Sequence, residues 1–124
     1  MKHHGLTDRD RVVPGGLTKD HGAAAARTLL AEAARPTAVL AFNDHRAIGV
    51  LDTLLRARIP VPDENSVVGF DESHLALLAH VQLTTGGQEA RHLARRAVSR
   101  AVARLERGAT DDEREVVVTP HLVI

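Results

Sequence analysis

Three short apolar segments of this chain are followed by polar side chains that could bind a ligand. Asn43, Asp71 and Gln88 each lie just beyond such a segment. The two amides supply hydrogen-bond donors and acceptors, and the carboxylate supplies two acceptor oxygens. If the segments are parallel strands, their carboxyl ends meet at one edge of a sheet, where ligands bind in folds of this type. The three side chains therefore predict a site for a neutral ligand rich in hydroxyl groups.

These residues also have a purely structural interpretation. Asn and Asp directly after a strand commonly cap the next helix, so any one of them fits that role. Their occurrence together on neighbouring strand ends favours the binding site.

Other chemistries have little support in the sequence. Asp44 and His45 could act in acid–base catalysis, but adjacent helical residues point about 100° apart and no third group accompanies them. Gly86-Gly87 lacks the spacing of a phosphate-binding loop. The eight histidines lack metal-site spacing, and there is no cysteine. We therefore expect no enzyme activity, no metal and no cofactor.

Composition indicates one globular domain with a core of small and aliphatic side chains. The chain has 124 residues, 44% of them hydrophobic, with 16 basic and 16 acidic side chains. A zero net charge is not typical of a dedicated nucleic-acid binder. The N-terminal segment lacks the apolar stretch of a secretory signal, and no apolar run is long enough to span a membrane. We expect a cytoplasmic protein.

Hydrophobic periodicity predicts alternating strands and helices, and hence an α/β fold: a three-layer sandwich with a mostly parallel sheet and helices on both faces. The longest helix, which we expect to open at Gly86-Gly87 and to end at Arg107, has an apolar stripe at helical spacing that should face inward. Strands are predicted at 12–13, 37–42, 66–70 and 83–85 with an extended segment at 115–124, and the other helices at 18–35, 44–59 and 75–79.

Several sequence blocks resemble those of the LacI/GalR family of bacterial transcriptional repressors. Residues 36–44 (PTAVLAFND), followed by Ala47-Ile48-Gly49, are similar to one signature of that family. The segment 59–71 (IPVPDENSVVGFD), the LTT block with Gln88, and the region of Pro120 are similar to further blocks in the same order. Together they cover roughly residues 12–124.

The resemblance implies one lobe of a type I periplasmic-binding-protein-like fold. Residues 12–124 would be the C-terminal lobe of an effector-binding domain, and residues 1–11 an N-terminal segment at a truncation boundary. The expected function is that of a regulator fragment that senses a sugar, sugar phosphate or nucleoside and allosterically controls operator binding. Operator DNA would be bound only through a helix-turn-helix headpiece absent from this sequence.

The resemblance also assigns residues to the effector cleft and to a dimer interface. Asn43, Asp71 and Gln88 would line the cleft, with Phe42 and Phe70 beside them to pack on a ligand ring or to fill the core. A homodimer would form through the helix at 45–58 and the segment 74–80, although the leucines there could instead cover the lobe's own sheet. The interface candidates are Ile48, Leu51, Leu55, Leu75 and Leu78.

This sequence departs from the family pattern at two positions near the third strand. Gly86 replaces an apolar β-branched residue, and Gln82 replaces a proline. Both changes are expected to loosen that strand end and so to weaken the role of Gln88.

Two alternative functions remain open from the sequence. One is a solute-binding protein of a transport system that lacks its N-terminal lobe. The other is a small α/β enzyme that uses Asp44 and His45.

Overall fold

A four-stranded sheet and three helices make up the part of the chain that the computed structural model describes, which is residue 5, residues 10–107, residue 115 and residues 117–124. β1, β2 and β3 are parallel neighbours, and β4 pairs antiparallel with β3. The α/β class and the mostly parallel sheet are therefore confirmed. The elements in chain order are α1 (Lys19–Leu30), β1 (Ala38–Leu40), α2 (Asp44–Arg56), β2 (Ser66–Asp71), β3 (Thr84–Gly87), α3 (Ala90–Arg107) and β4 (His121–Val123).

Helices α1 and α2 cross at two glycines that allow their backbones to touch. A Cβ on Gly22 would collide with the carbonyl oxygen of Arg46, and a Cβ on Gly49 would collide with that of Lys19. Because the obstructing atoms belong to the backbone, neither neighbour can move aside. The small residues of α1 thus bring it close to α2.

The hydrophobic core lies between these two helices and the sheet. Its side chains come from the inward stripe of α2, from the faces of α1 and β2 that point toward α2, and from Leu83 just before β3. The spacing of apolar residues in these elements places them on one face. The buried cluster includes Ala26, Ala47, Val50, Leu54, Val67 and Leu83.

Two predicted elements do not form, and one predicted helix ends earlier than expected. Residues 12–13 form no strand, and α1 ends at Leu30 rather than near Arg35. Residues 75–79 form successive turns instead of a helix, because their backbone closes short bonds such as Ala76 N–H to Ser73 O and Val81 N–H to Leu78 O.

The predicted start of the longest helix was also wrong. Gly86 and Gly87 continue β3, and α3 begins at Ala90. The cause is strand pairing on both sides, since the two glycines lie opposite Phe70 and Asp71 of β2 and opposite Leu122 and His121 of β4. Partners so distant in sequence leave no local signal.

The apolar stripe of α3 does not face inward as predicted. Val98 is 64% exposed and Leu105 is 87% exposed. The left-handed backbone of Glu89 (φ 52°) turns the chain between β3 and α3, and α3 does not cover the sheet. Among the residues with a described structure, no helix is long and apolar enough to cross a membrane.

Candidate functional site

Asn43 caps α2 and also binds the segment that precedes α1. Its Oδ1 accepts a hydrogen bond from the backbone N–H of Arg46 at 2.9 Å, and its Nδ2 donates to the carbonyl oxygen of Leu17 at 3.1 Å. The residue is half-buried. Asn43 therefore caps the helix, as its structural interpretation predicted. Its amide also lies at the edge of the sheet where the ligand site is predicted.

Asp71 and Gln88 contact each other directly. Asp71 ends β2 and Gln88 follows β3, and Nε2 of Gln88 donates to Oδ1 of Asp71 at 2.5 Å. Both side chains are half-buried. A ligand hydroxyl can replace this bond, because it donates to the carboxylate and accepts from the amide at the same time.

The backbone beneath this pair is strained. Asp71 has φ 124° and Glu72 has φ 55°, values that non-glycine residues rarely adopt. Such strain persists only where surrounding contacts enforce it, and it is concentrated at functional sites. At this position, hydrogen bonds from the turn after β2 to neighbouring side chains supply the constraint.

Those contacts come from Asp44 and Thr85, which the sequence analysis did not assign to the site. Asp44 is completely buried; its Oδ1 accepts from the hydroxyl of Thr85 at 2.5 Å and its Oδ2 from the N–H of Ser73 at 2.7 Å. The backbone N–H of Glu72 in turn reaches Thr85 Oγ1 at 3.4 Å. These bonds join the turn after β2 and the strand β3 to the start of α2. The sequence contains one indication of this role of Asp44. Asn43 and Asp44 both follow the strand, but only one residue can cap the helix, so the second polar side chain is left for another contact.

The two phenylalanines have different environments. Phe42 is 68% exposed beside Asn43. Phe70 is half-buried, and its ring lies on Gly86, where a Cβ would approach ring atom Cδ2 to 2.7 Å. Gly86, which departs from the family pattern, therefore provides the space that the ring occupies.

The alternative catalytic pair is not assembled. Asp44 is buried and fully hydrogen-bonded, whereas His45 is exposed. Within the described ranges, no group of three or more metal-binding side chains is suitably arranged. Of the dimer candidates, Leu55 and Leu78 are exposed, and the others are half-buried (Ile48, Leu51 and Leu75).

A mostly parallel sheet with polar groups on adjoining strand ends is the arrangement at which open α/β folds bind small molecules. The family model described as the periplasmic binding protein-like domain matches residues 1–124. The chain belongs to this family, and its relatives and structural neighbours identify it as an effector-binding domain of the LacI/GalR type.

Three similar proteins illustrate this relationship. The HTH-type transcriptional repressor PurR of Photobacterium profundum is 31% identical over 100% of this chain and 37% of its own length. A LacI transcriptional regulator from a Rhodococcus species is 47% identical with a TM-score of 0.90, over 98% of this chain and 44% of that one. A LacI family regulator from Lactobacillus casei with bound sucrose is 33% identical with a TM-score of 0.75, over 87% and 40%. The chain thus spans less than half the length of these proteins.

Proposed function

We propose that this chain is the C-terminal lobe of the effector-binding domain of a cytoplasmic LacI-type regulator. The lobe binds a small sugar-like effector and thereby controls operator binding by a headpiece outside these residues. The observation that supports this most directly is the Asp71–Gln88 pair, held at 2.5 Å on neighbouring strand ends. Transcriptional repressors and a sucrose-bound regulator among the similar proteins support the same function.

The chemistry of the pair favours a ligand with adjacent hydroxyl groups. Asp71 presents acceptors and Gln88 presents both a donor and an acceptor, so a hydroxyl inserted between them satisfies each partner. An aliphatic ligand that separated the two side chains would break their hydrogen bond and offer nothing in its place, whereas a hydroxyl group replaces it. Phe42, exposed at the same edge, provides an apolar surface for the face of a sugar or base ring.

Two uncovered surfaces support the existence of a second lobe. The apolar stripe of α3 is exposed, and Leu40 on β1 is 75% exposed on the face of the sheet opposite α2. The neighbour from Rhodococcus has the same fold over 98% of this chain, and that protein is more than twice as long. We infer that further chain covers these surfaces and completes the effector cleft.

Ligand titration by calorimetry tests this proposal. We would titrate the chain with sucrose, ribose, ribose 5-phosphate and adenosine, which represent the three expected ligand classes. For a ligand that binds, Asp71→Asn and Gln88→Leu should each lower the affinity by about tenfold or more, because each removes one charge-assisted or amide hydrogen bond. Asp63→Asn and Gln82→Leu change exposed residues of the same types and serve as matched controls.

The titrations distinguish a site at the strand-end pair from a site elsewhere. A loss of affinity in the Asp71 and Gln88 variants but not in their controls supports the strand-end site. Equal binding by these variants and by their controls would exclude the strand-end pair as the effector site.

A further inference from the structure

A cavity of about 510 Å³ lies at the amino-terminal edge of the sheet, on the side that α1 and α2 cover. Asn65 lines it and directly precedes β2, whose last residue is Asp71. A strand of this length spans about 20 Å, so the sheet separates the cavity from the Asp71–Gln88 pair. Val39 of β1 lines the cavity, and the adjacent Leu40, which further chain is inferred to cover, lies on the opposite face.

The floor of the cavity is apolar and comes from the second halves of α1 and α2. Ala26 and Leu30 of α1 line it together with Val50 and Leu54 of α2, and all four are buried or half-buried. The glycines at which the two helices touch lie nearer to the amino-terminal ends of those helices. A concave volume of this size with an apolar lining is typical of a site for a small molecule.

One polar group of the lining lacks a hydrogen-bond partner. Nδ2 of Asn65 donates to the carbonyl oxygen of Pro36 at 2.6 Å, and because a carbonyl only accepts, this bond fixes which end of the amide is the oxygen. Asn65 is only 6% exposed, yet among the residues that the structure describes nothing donates to its Oδ1. A buried acceptor without a donor costs free energy, so a donor that reaches Oδ1 is bound favourably.

These features define the chemistry of a suitable ligand. A hydrocarbon body covers the apolar floor, and one donor completes the hydrogen bonding of Asn65. A single water molecule is a poor substitute, because a buried water needs about two to four polar partners. The exposed charges at the rim have both signs, Arg35 and Glu64 among them, and do not favour a charged ligand.

We propose that this cavity is a second binding site, for a neutral and mostly apolar molecule that carries a hydroxyl group. The site lies at the edge of the sheet opposite to the effector site, and its ligand differs from a sugar in having a single donor on a hydrocarbon body. This inference goes beyond the proposed function and does not rest on it.

Two small aromatic compounds that differ only in the donor test the site. Para-cresol carries a hydroxyl group, whereas its methyl ether can only accept hydrogen bonds. Titration of the isotope-labelled chain, followed by two-dimensional NMR, gives the affinity and the location together. We expect para-cresol to bind about two- to tenfold more tightly than the ether, as for one neutral hydrogen bond. The largest changes in amide shift should occur at Leu30, Leu54 and Asn65.

Substitutions at the rim and at the acceptor identify the cavity. Ala33 lines the cavity and is exposed, so Ala33→Trp fills it from outside and should lower the affinity for para-cresol about tenfold or more. Ala34→Trp changes an exposed neighbour outside the lining and is the matched control. Asn65→Leu removes the acceptor and should make the two compounds bind equally. Circular dichroism shows whether each variant is folded, and the comparison of the two compounds on the parent chain does not depend on any variant.

Each result supports the site or overturns it. Tighter binding of para-cresol that is lost in Ala33→Trp and kept in Ala34→Trp supports it. The proposal is wrong if para-cresol does not bind at millimolar concentration, if the parent chain binds both compounds equally, or if the shifts are centred on α3 or Gln88. None of these results affects the sugar titrations at Asp71 and Gln88, because that pair lies at the other edge of the sheet.

Discussion

The hydroxyl of Thr85 donates a hydrogen bond to the carboxylate of Asp44 across 2.5 Å, and both residues are completely buried. Forty-one residues separate them in sequence. The carboxylate also approaches Gly69, where a Cβ would collide with Oδ1. This contact joins α2 to β3, and it sets the position of the turn that carries the strained Asp71 and Glu72.

Removing the hydroxyl of Thr85 should destabilise the fold without changing its shape. Thr85→Val leaves Oδ1 of the buried Asp44 without its donor, at a cost of about 1–3 kcal/mol in the free energy of unfolding. Urea denaturation followed by circular dichroism measures this loss. Thr84→Val, at the half-buried neighbouring position, is the matched control and should change stability by less than about 0.5 kcal/mol. Equal losses in both variants would contradict the role of the Asp44–Thr85 bond.

Two substitutions of Asn43 should separate its two structural contacts. Asn43→Asp keeps the oxygen that accepts from Arg46 N–H and loses the donor to Leu17, whereas Asn43→Ala loses both. The alanine variant should lose about 1 kcal/mol of stability from the helix cap, and the aspartate variant clearly less. Thermal unfolding of the two variants at one pH provides the comparison. An equal loss in the two variants would show that the Leu17 contact, which both remove, dominates.

Alanine at Gly49 should destabilise the protein, against the usual preference of helices. In an open helix, Gly→Ala gains about 1 kcal/mol. Here the added Cβ collides with the backbone of Lys19, so α1 and α2 must separate and stability should fall by about 1–3 kcal/mol. Gly15→Ala meets only the flexible end of Arg46 at 3.1 Å and should be nearly neutral. A stabilised Gly49→Ala variant would refute the close crossing of the two helices.

Truncation of two leucines should distinguish the packed helix from the unpacked one. Leu54 on α2 is 4% exposed and Leu105 on α3 is 87% exposed. Leu54→Ala should cost about 2–5 kcal/mol, and Leu105→Ala less than about 0.5 kcal/mol. Urea unfolding of this chain measures both. A large loss at Leu105 would mean that α3 packs against the rest of the chain in solution.

Charge at the proposed dimer surface should separate two copies of the chain. Leu55 and Leu78 are exposed leucines on the segments assigned to that interface. Leu55→Glu and Leu78→Glu place a charge in an apolar contact, and sedimentation velocity at micromolar concentration should then show monomers instead of dimers. Leu105→Glu, on α3, is the control and should not change the mass. A parent chain that sediments as a monomer would rule out this interface.

The sequence predicted the elements whose information is local. The runs around β1 and β2 and the inward stripe of α2 were identified correctly, because they rest on continuous apolar residues and helical spacing. Asn43, Asp71 and Gln88 were placed at strand ends by the same reasoning, and the structure brings Asp71 and Gln88 into contact.

The features that the sequence did not predict depend on contacts between distant segments of the chain. The extension of β3 through Gly86 and Gly87 depends on pairing with β2 and with β4, and β4 lies more than thirty residues away along the chain. The structural role of Asp44 depends on its hydrogen bond with Thr85, which lies on β3. The stripe of α3 has a clear helical period but is exposed among the residues that the structure describes. Periodicity therefore determined which elements form and which side chains end them. The tertiary structure alone decided which of those side chains meet. The reason is that burial and hydrogen bonding depend on surfaces that no local pattern specifies.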